Sequence, residues 1–462
     1  MLYQDLREWL TKVEEAGELK TLAGVDLELE MGAIAELFPD YAVLFDSIKG
    51  YPPGYRVVVG LLGSLRRSAL ISHLPPDTDR NGFIAAWRER LREPRLLPPR
   101  EVDCGAVLEN VKSGKEIDLW GFPIPKWHEW DGGRYLGTAD VAITRDVDEG
   151  WINLGTYRVM VHDRDILTLY ISPGKHGRIH REKYFAQKRP CPVAITFGQD
   201  PLLFLLASKQ MPFGVSEYDY AGGIRGEPFE VIRGEMTGLP IPARAEIAVE
   251  GEILPDQKVV EGPFGEWTGY YASGEQLESV VRVKRLMYRK DPIITGAPPF
   301  RQPAGADTCN NLIRAAAIWD ALEKAGVPEI RGVACYQGYF FTVVAIRQRY
   351  SGHVRQAAIL ASQCENAAYM GRYVVVVDDD IDVADFNDVL WAMCTRVDPA
   401  HSIELIERCW SGPLDPVIPK AEKGFNSRAI IDACRPFEWI KDFPPVSGAS
   451  PELKERVKKK YL

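Results

Sequence analysis

Residues 151–161 of the chain are WINLGTYRVMV, a run in which apolar and β-branched side chains dominate. Such a run is typical of a β-strand. Comparable runs occupy residues 139–144, 166–171, 193–198, 245–251 and 280–286. Between them, Asp200 and Pro201 have the residue types of an N-cap and first residue of a short apolar helix. Several strands with one inserted helix favour a central β-barrel.

Upstream of these strands the sequence predicts a small α/β unit. An amphipathic helix opens the chain and ends at Gly17, and a strand over residues 55–59 precedes a basic helix around Arg66. We therefore assign residues 1–105 to an N-terminal α/β domain and residues 106–305 to the central domain.

Downstream of the strands, Asp307 introduces a helix that Gly326 and Pro328 close. We assign residues 306–326 to this linking helix. Strands and helices then alternate, with strands near residues 339–346 and 373–377 and helices near 353–367 and 385–394. Such alternation is typical of an α/β fold, so residues 327–462 form the predicted C-terminal α/β domain.

Composition excludes several classes of function. The chain has 462 residues and a net charge of −9, from 56 basic and 65 acidic side chains. Nucleic-acid binding needs a clustered basic face, and the basic cluster at residues 454–460 is typical of a solvated helix. No apolar run reaches the ~18 residues of a membrane span, and early charges such as Asp5 argue against a signal peptide. We expect a cytoplasmic protein that binds neither nucleic acid nor membrane.

Cysteines and glycines carry no recognisable motif. The eight cysteines are scattered and none forms a CxxC pair, which argues against both a zinc site and a disulfide framework. The chain lacks a P-loop and a GxSxG elbow. Residues 222–226, GGIRG, lack the spacing and the preceding strand of a dinucleotide-binding motif, so we predict a loop there.

Asn153 and Arg158 are the polar residues of interest within the predicted strand 151–161. At a rise of ~3.3 Å per residue they would lie roughly 16 Å apart, about the span of an elongated cofactor. The alternative is an edge-strand arginine in a surface salt bridge, because arginines are mostly exposed.

Residues 261–267, EGPFGEW, place Glu261 and Glu266 on either side of a compact turn. The turn can direct both carboxylates toward one point. A carboxyl group in a partly dry, apolar place has a raised pKa and is suited to acid–base chemistry. The alternative is a surface loop with two solvated glutamates. A neighbouring arginine would favour function, since a carboxylate substrate needs a bidentate cationic partner.

His176 follows a predicted strand within residues 172–177, SPGKHG. A loop histidine near an asparagine and a glutamate could bind a metal. The alternative is a structural or solvated side chain, which is the usual state of a single histidine.

Together these segments resemble the UbiD decarboxylase family, and the resemblance covers nearly the whole chain. The matching phrases, in the family's order, are DLWGFPIPKWHEWDGGRY at 118–135, INLGTYR at 152–158, SPGKHG at 172–177, ASKQMPFGVSEYDYAGGIRGEP at 207–228, EGPFGEWTGYY at 261–271 and VVVVDDDIDVADFNDVLWAMCTRVDP at 374–399.

The resemblance implies a fold and its cofactors. The fold is an N-terminal α/β unit, a central split β-barrel of the flavin-reductase kind, and a C-terminal α/β dimerisation domain joined by the linking helix. The cofactor is prenylated FMN. Its phosphate is bridged by Mn²⁺ or Mg²⁺, held by Asn153, His176 and Glu217, and this ligand set suits hard divalent ions. A potassium ion lies nearby, and its ligands map onto Ala207, Ser208, Met211 and Glu217.

The resemblance also implies the catalytic residues. Arg158 clamps the scissile carboxylate, Glu261 orients Arg158, and Glu266 donates a proton to the carbon that CO₂ leaves. Further cofactor contacts map onto Thr138, Thr156, Lys175 and Arg372. Arg372 replaces a lysine that the family often has, and a planar fork is not a point charge. Trp267 is bulkier than in some relatives and could stack on a flat substrate or fill the pocket.

The implied function is reversible, non-oxidative decarboxylation of an aromatic, heteroaromatic or α,β-unsaturated carboxylic acid. The implied partners are this acid, CO₂, a flavin prenyltransferase that supplies the cofactor, and a second copy of the chain in a homodimer or higher assembly. One alternative is an FMN redox enzyme on the same barrel. Another is a flavin-binding subunit or scaffold of a multi-subunit carboxylase.

Overall fold

The structure is a computed structural model that describes residues 2–209, 211–272, 274–301, 307–338, 340–422 and 424–461. Helices and strands are mixed along the chain, as the sequence predicts. The starts of the predicted linking helix, at residue 306, and of the predicted strand at residue 339 lie outside the described residues. The assigned domain boundaries remain predictions.

The N-terminal part begins with the predicted amphipathic helix. Its elements are α1 (Leu6–Glu15), β1 (Leu19–Ala23), α2 (Glu30–Leu37), β2 (Ala42–Asp46), β3 (Arg56–Val59), α3 (Leu65–Ile71), α4 (Arg80–Arg92) and β4 (Arg100–Glu101). Helix α1 buries Leu6, Trp9, Leu10 and Val13. Gly17 follows it with φ +73°, which favours glycine.

The central part contains most of the strands. Its elements are β5 (Asn110–Ser113), β6 (Tyr135–Gly137), β7 (Val141–Arg145), β8 (Ile152–Gly155), β9 (Val159–Asp163), β10 (Ile166–Leu169), α5 (His176–Ala186), β11 (Cys191–Phe197), α6 (Pro201–Ala207), α7 (Glu217–Arg225), β12 (Glu230–Arg233), β13 (Pro240–Pro242), β14 (Ile247–Glu261), β15 (Gln276–Tyr288) and β16 (Ile293–Gly296). Helix α6 has the predicted cap, because the Asp200 carboxylate accepts from the Leu202 N–H at 2.8 Å.

The C-terminal part alternates helices and strands as predicted. Its elements are α8 (Cys309–Lys324), β17 (Ile330–Tyr336), β18 (Phe341–Ile346), α9 (His353–Gln363), α10 (Glu365–Ala368), β19 (Tyr373–Asp378), α11 (Phe386–Arg396), α12 (Pro399–Ser402), β20 (Ile403–Trp410), β21 (Phe425–Ala433) and α13 (Pro451–Tyr461).

The strands form a large central sheet and smaller sheets around it. The central sheet has nine strands in the order β6-β9-β10-β15-β14-β11-β7-β8, with β5 also pairing to β15. The others are β1-β2-β3-β16, β13-β12-β4 and β17-β18-β19-β21-β20. Strand β16, late in the central part, therefore pairs with the N-terminal strand β3. Closure of the central sheet into a split barrel remains a prediction.

The prediction of a single strand over residues 151–161 is wrong, because the structure has two strands there. Strand β8 ends at Gly155 and pairs with β7, whereas β9 begins at Val159 and pairs with β6 and β10. Between them the Thr156 N–H donates to the Ala207 carbonyl at 3.2 Å instead of to a neighbouring strand. The 16 Å spacing inferred from one unbroken strand therefore loses its basis, and Arg158 lies just outside the sheet.

The loop expected at residues 222–226 is also wrong, because Gly222 and Gly223 belong to helix α7. A Cβ at either position would collide with the carbonyl oxygen of Leu97 or Arg95. These glycines permit close approach of two backbones within a regular helix. Gly226 caps the helix with φ +86°.

The linking helix begins at Cys309, three residues after the predicted start at residue 306. Thr308, not Asp307, is its N-cap and accepts from the Asn311 N–H. Asp307 instead accepts from Arg80 at 3.1 Å. At its other end Gly326 has the positive φ, +83°, of the predicted stop.

The structure also bears on the predictions about disulfides and membrane-spanning helices. All eight cysteines are free thiols, as the scattered spacing predicts. Among the described residues, every helix is too short or too polar to cross a bilayer.

Substitution of Gly223 by alanine tests the close packing of helix α7. We expect Gly223→Ala to lower the free energy of unfolding by about 1–3 kcal/mol, because the added methyl group overpacks the contact with the Arg95 carbonyl. Gly121→Ala is the control, since no atom lies within 4 Å of the methyl group that it adds. Thermal and denaturant unfolding would measure both. Equal stability of the two variants would contradict the role assigned to Gly223.

Candidate active site

Arg158, Glu261 and Glu266 form one hydrogen-bonded cluster. Arg158 Nε and Nη2 donate to the two oxygens of Glu261 at 2.7 and 2.8 Å. Arg158 Nη1 donates to Glu266 Oε1 at 2.7 Å. The surface alternatives for these residues are therefore wrong, because exposed fractions of the side chains are 6%, 0% and 13% respectively.

The local fold explains why Glu261 and Glu266 both reach Arg158. Glu261 is the last residue of β14, and Arg158 ends the break between β8 and β9. The chain then turns at Gly262, where φ is +82°, a conformation that favours glycine. The Glu266 N–H donates to the Tyr270 carbonyl at 3.0 Å and fixes the backbone of the turn. The two glutamates thus approach the guanidinium from successive parts of one turn.

Other side chains complete the surroundings of the cluster. The Tyr135 hydroxyl donates to Glu261 Oε1 at 3.2 Å, and Gln276 Nε2 donates to Glu261 Oε2 at 3.3 Å. The Arg158 guanidinium lies 4.2 Å from the centre of the Tyr170 ring and 5.6 Å from that of Phe264. Glu261 therefore accepts from three side chains and is held in a fixed orientation.

Burial gives the members of the cluster different protonation behaviour. Burial raises the pKa of Glu266 to about 7, although the charge and hydrogen bond of Arg158 act to lower it. Burial acts to lower the pKa of Arg158, but the hydrogen bond and charge of Glu261, together with the charge of Glu266, outweigh it and raise the Arg158 pKa. The cluster thus pairs a permanent cation with a carboxyl group that can exchange a proton near neutral pH.

A cavity adjoins this cluster at the residue that precedes Arg158 in the chain. Its lining residues are Asn153, Leu154, Gly155, Thr156, Tyr157, Gly174, Lys175, His176, Ala207, Ser208, Lys209 and Glu217. Tyr157 immediately precedes Arg158. The structure thus brings together seven sequence-predicted cofactor or metal residues from three separate segments.

The predicted metal ligands have properties that fit a divalent cation. Asn153 is 2% exposed and lines the cavity, where its amide oxygen is a hard ligand of the kind that a divalent cation binds. Glu217 is 1% exposed, and burial raises its pKa to about 8. A cation beside it would keep the carboxylate ionised. Burial and the charge of Lys175 lower the pKa of His176, which favours the neutral imidazole that can bind a metal.

A divalent cation in this cavity would need a protein ligand other than His, Cys, Asp and Glu. Within the described part of the chain, no three side chains of those four types are grouped as a metal site. His176 and Glu217 would be completed by the Asn153 amide oxygen, as the sequence predicts. His176 is the first residue of helix α5 rather than part of a loop, so its backbone is fixed.

Some predicted contacts lie away from the cavity. Thr138 Oγ1 accepts from the Ala297 N–H at 2.9 Å. Met211 is buried in the hydrophobic core. Arg372 Nη2 donates to both oxygens of Asp415 at 2.7 Å. None of the three is among the lining residues, and their cofactor contacts remain predictions.

Sequence reasoning missed several residues of the site. Tyr135 and Gln276 bind Glu261, and Lys209 lines the cavity while its Nζ donates to Asn310 Oδ1. Tyr135 and Lys209 stand inside the motifs at 118–135 and 207–228, which was the available signal. Gln276 stands outside every motif, and only the pairing of β14 with β15 brings it opposite Glu261.

Sequence profiles of one family match most of the chain. They are the N-terminal domain of 3-octaprenyl-4-hydroxybenzoate carboxy-lyase over residues 10–87, its Rift-related domain over 100–302 and its C-terminal domain over 307–433. The pyrrole-2-carboxylic acid decarboxylase of Pseudomonas aeruginosa is 31% identical over 458 residues, covering 94% of this chain and 92% of that protein.

Solved structures of similar proteins agree with this match. The vanillic acid decarboxylase ShVdcCD of Sedimentibacter hydroxybenzoicus, in open form with truncated ShVdcD, has a TM-score of 0.86 at 28% identity, covering 100% of this chain and 99% of that chain. The UbiD-class enzyme HmfF from Pelotomaculum thermopropionicum, solved with FMN, has a TM-score of 0.86 at 29% identity, covering 99% of this chain and 100% of that chain. An evolved dimeric form of HmfF was solved with prenylated FMN. The chain therefore belongs to the UbiD family and is a carboxy-lyase.

Proposed function

We propose that this carboxy-lyase catalyses reversible, non-oxidative decarboxylation of an aromatic, heteroaromatic or α,β-unsaturated carboxylic acid with prenylated FMN. The observation that carries the proposal is the buried Arg158–Glu261–Glu266 cluster beside the cavity that brings the predicted metal ligands together. Similar proteins act on pyrrole-2-carboxylic acid and vanillic acid, which supports a planar aromatic acid as the substrate.

Residues of the cavity would hold the phosphate end of the cofactor. Asn153, His176 and Glu217 would bind Mn²⁺ or Mg²⁺, which offsets the phosphate charge, and Lys175 adds a positive charge at the same wall. Backbone carbonyls of Ala207 and Ser208 would hold a potassium ion with Glu217. When bound, the prenylated flavin supplies the electrophile and electron sink that no side chain of the chain provides.

Arg158 would bind the carboxylate that is lost. Its Nε edge is taken by Glu261, so the Nη1 and Nη2 edge is the one left for a substrate. Glu266 Oε1 accepts from Nη1 here, and a substrate carboxylate would compete with it for that donor. Displaced from Arg158, a protonated Glu266 would be free to donate its proton to the carbon left by CO₂.

The alternatives are less well supported by this site. An FMN redox enzyme would account for the cavity but has no need of a buried arginine between two carboxylates. ShVdcCD contains a second polypeptide, ShVdcD, which keeps open a subunit role in a larger carboxylase. The complete cluster nevertheless favours a chain that catalyses the reaction itself.

Activity after co-expression with a flavin prenyltransferase tests the proposed function. We expect protein holding prenylated FMN and Mn²⁺ to release CO₂ from at least one acid in a panel of aryl, heteroaryl and acrylic acids. Protein holding FMN alone is the control and should be inactive, because plain FMN lacks the prenyl-derived electrophile. Full turnover by the FMN-loaded control would refute the proposed chemistry.

Paired variants separate cofactor binding from proton transfer. We expect Glu266→Gln to retain flavin and metal at wild-type occupancy and to lose ~10²–10⁴-fold in kcat, because it is nearly isosteric but cannot donate as an acid. His176→Ala should lose metal and flavin together. Elemental analysis and flavin absorbance measure occupancy independently of activity. Loss of flavin in Glu266→Gln, or full occupancy in His176→Ala, would show that the assignment of residues is wrong.

We also propose that the chain forms a homodimer through its C-terminal part. Strand β20 is an edge of its five-stranded sheet. Leu405 and Trp410 on β20 are 71% and 57% exposed, and Phe425, the register partner of Trp410 on β21, is 53% exposed. Apolar edge strands are normally protected, and a second copy of the chain would cover this one. An evolved form of the similar enzyme HmfF is dimeric, which supports the proposal of a dimer.

Light scattering after size-exclusion chromatography tests the dimer. We expect wild-type protein to have the mass of two chains and the double variant Leu405→Glu, Trp410→Glu to have the mass of one, because two charges would be buried at the interface. Leu277→Glu, at a 66% exposed leucine of the central part, is the matched control and should remain dimeric. A dimer that survives the double variant would place the interface elsewhere.

A further inference from the structure

An aromatic contact joins the loop of Glu266 to the C-terminal part of the chain. Trp267, the residue after Glu266, stacks on Phe340 with ring centres 5.3 Å apart and an angle of 29° between the planes. Phe340 immediately precedes strand β18. The sequence left two roles open for Trp267, stacking on a flat substrate or filling the pocket, whereas the structure shows it stacked on another side chain of the protein.

Phe340 is supported from a second direction by Arg372. The Arg372 guanidinium lies 5.1 Å from the centre of the Phe340 ring, a distance at which a cation and an aromatic face attract. Asp415, which is fully buried, accepts from Arg372 through both oxygens at 2.7 Å and also from Ser411. Arg372 is thus held in place beside Phe340, and the three residues Trp267, Phe340 and Arg372 form what we call the Trp267 stack.

The backbone around the stack is shaped to admit Trp267. Gly338 has φ +66°, and a Cβ there would come 2.8 Å from the Trp267 ring. A larger residue would therefore push the indole away from Phe340. Trp267 follows Glu266 directly in a turn that is closed by the Gly269 N–H, which donates to the Glu266 carbonyl at 2.8 Å. Because the turn is closed, a shift of Trp267 would also move Glu266.

We propose that the Trp267 stack positions the proton donor: Phe340 and Arg372, in the C-terminal part, hold Trp267 so that Glu266 stays against Arg158 and away from water. This inference rests on the proposed function of Glu266 and extends it to Phe340 and Arg372, which would act on Glu266 through Trp267. Phe340 and Arg372 are positioning residues in this scheme. It also gives Arg372 a role that differs from the cofactor contact that the family resemblance implies.

The charged groups that face Glu266 set the expected effect of breaking the stack. Arg158 donates to Glu266 and favours its ionised form, whereas the charge of Glu261 disfavours it, and burial disfavours it most. Tyr135 donates to Glu261 rather than to Glu266. If water enters, the effect of burial falls while Arg158 remains. The pKa of Glu266 should then drop from about 7 toward the roughly 4.3 of an exposed glutamate.

The activity of Glu266 as a proton donor should fall as pH rises. Glu266 donates only when protonated, and the protonated fraction falls as pH rises through its pKa. A stack variant should therefore lose the protonated form at lower pH than the wild type. A variant that is merely less stable would not move this midpoint.

Infrared titration of the cofactor-free protein measures the midpoint without turnover. The carboxylic acid C=O band of Glu266 is assigned by its absence in Glu266→Gln. We expect a midpoint near pH 7 in the wild type and a midpoint lower by at least about one pH unit, a tenfold change in the equilibrium, in Phe340→Leu. Phe340→Tyr keeps a ring and should restore the wild-type midpoint. Trp267→Leu breaks the stack from the other side and should repeat the shift.

Phe341→Leu is the matched control. Phe341 is the next residue, and its ring contacts Tyr336, Tyr373 and Phe386 within the C-terminal part. Its variant should titrate like the wild type. An unchanged midpoint in both Phe340→Leu and Trp267→Leu, or an equal shift in Phe341→Leu, would overturn the inference. If instead the stack variants shift while Glu266→Gln keeps full turnover, the positioning holds and only the proposed role of Glu266 as donor fails.

Discussion

The arrangement of the site depends on one requirement: a guanidinium buried in the protein needs fixed negative partners. An ion taken out of water loses several kcal/mol of solvation, and only well-aligned carboxylates restore it. Arg158 meets that requirement with a bidentate bond to Glu261 and a single bond to Glu266. The end of β14, the turn after it and the break between β8 and β9 can all be understood as the backbone that brings these three groups together.

Burial acts on two carboxyl groups of the site in the same direction but with different consequences. It raises the pKa of both Glu217 and Glu266 above the ordinary range. Glu266 faces a permanent cation that belongs to the protein. Glu217 accepts from the Leu154 N–H and lines a cavity with the His176 imidazole and the Asn153 amide. A metal ion bound there would supply positive charge beside the Glu217 carboxylate. One residue type thus serves acid–base chemistry at one place and ligand binding at another.

Much of the fold follows from local patterns, and the failures have physical causes. Helix α1, the Asp200 cap of α6 and the alternation of the C-terminal part depend on neighbours in sequence, so the sequence predicts them. The break at residues 156–158 depends on a hydrogen bond to Ala207, about fifty positions away. The helical glycines 222 and 223 depend on the backbone of Leu97 and Arg95. The turn between Glu261 and Glu266 is local, so the sequence predicts that the two carboxylates converge. Their approach to Arg158 was implied only by the resemblance to the UbiD family, because it depends on tertiary packing, as do Gln276 and the contact of Trp267 with Phe340.

The pairing of strand β16 ties the N-terminal part of the chain to the central part. It lies at residues 293–296, yet it completes the sheet of the N-terminal part by pairing with β3, and β4 in turn pairs with β12. Each part therefore lends a strand to the other. Recombination at a single crossover point could therefore not exchange residues 1–105 freely between homologues. A foreign N-terminal segment would have to match the register of β16, which is encoded nearly two hundred codons downstream. Inheritance of these two parts should accordingly be linked, and chimeras should succeed only when β16 travels with its sheet.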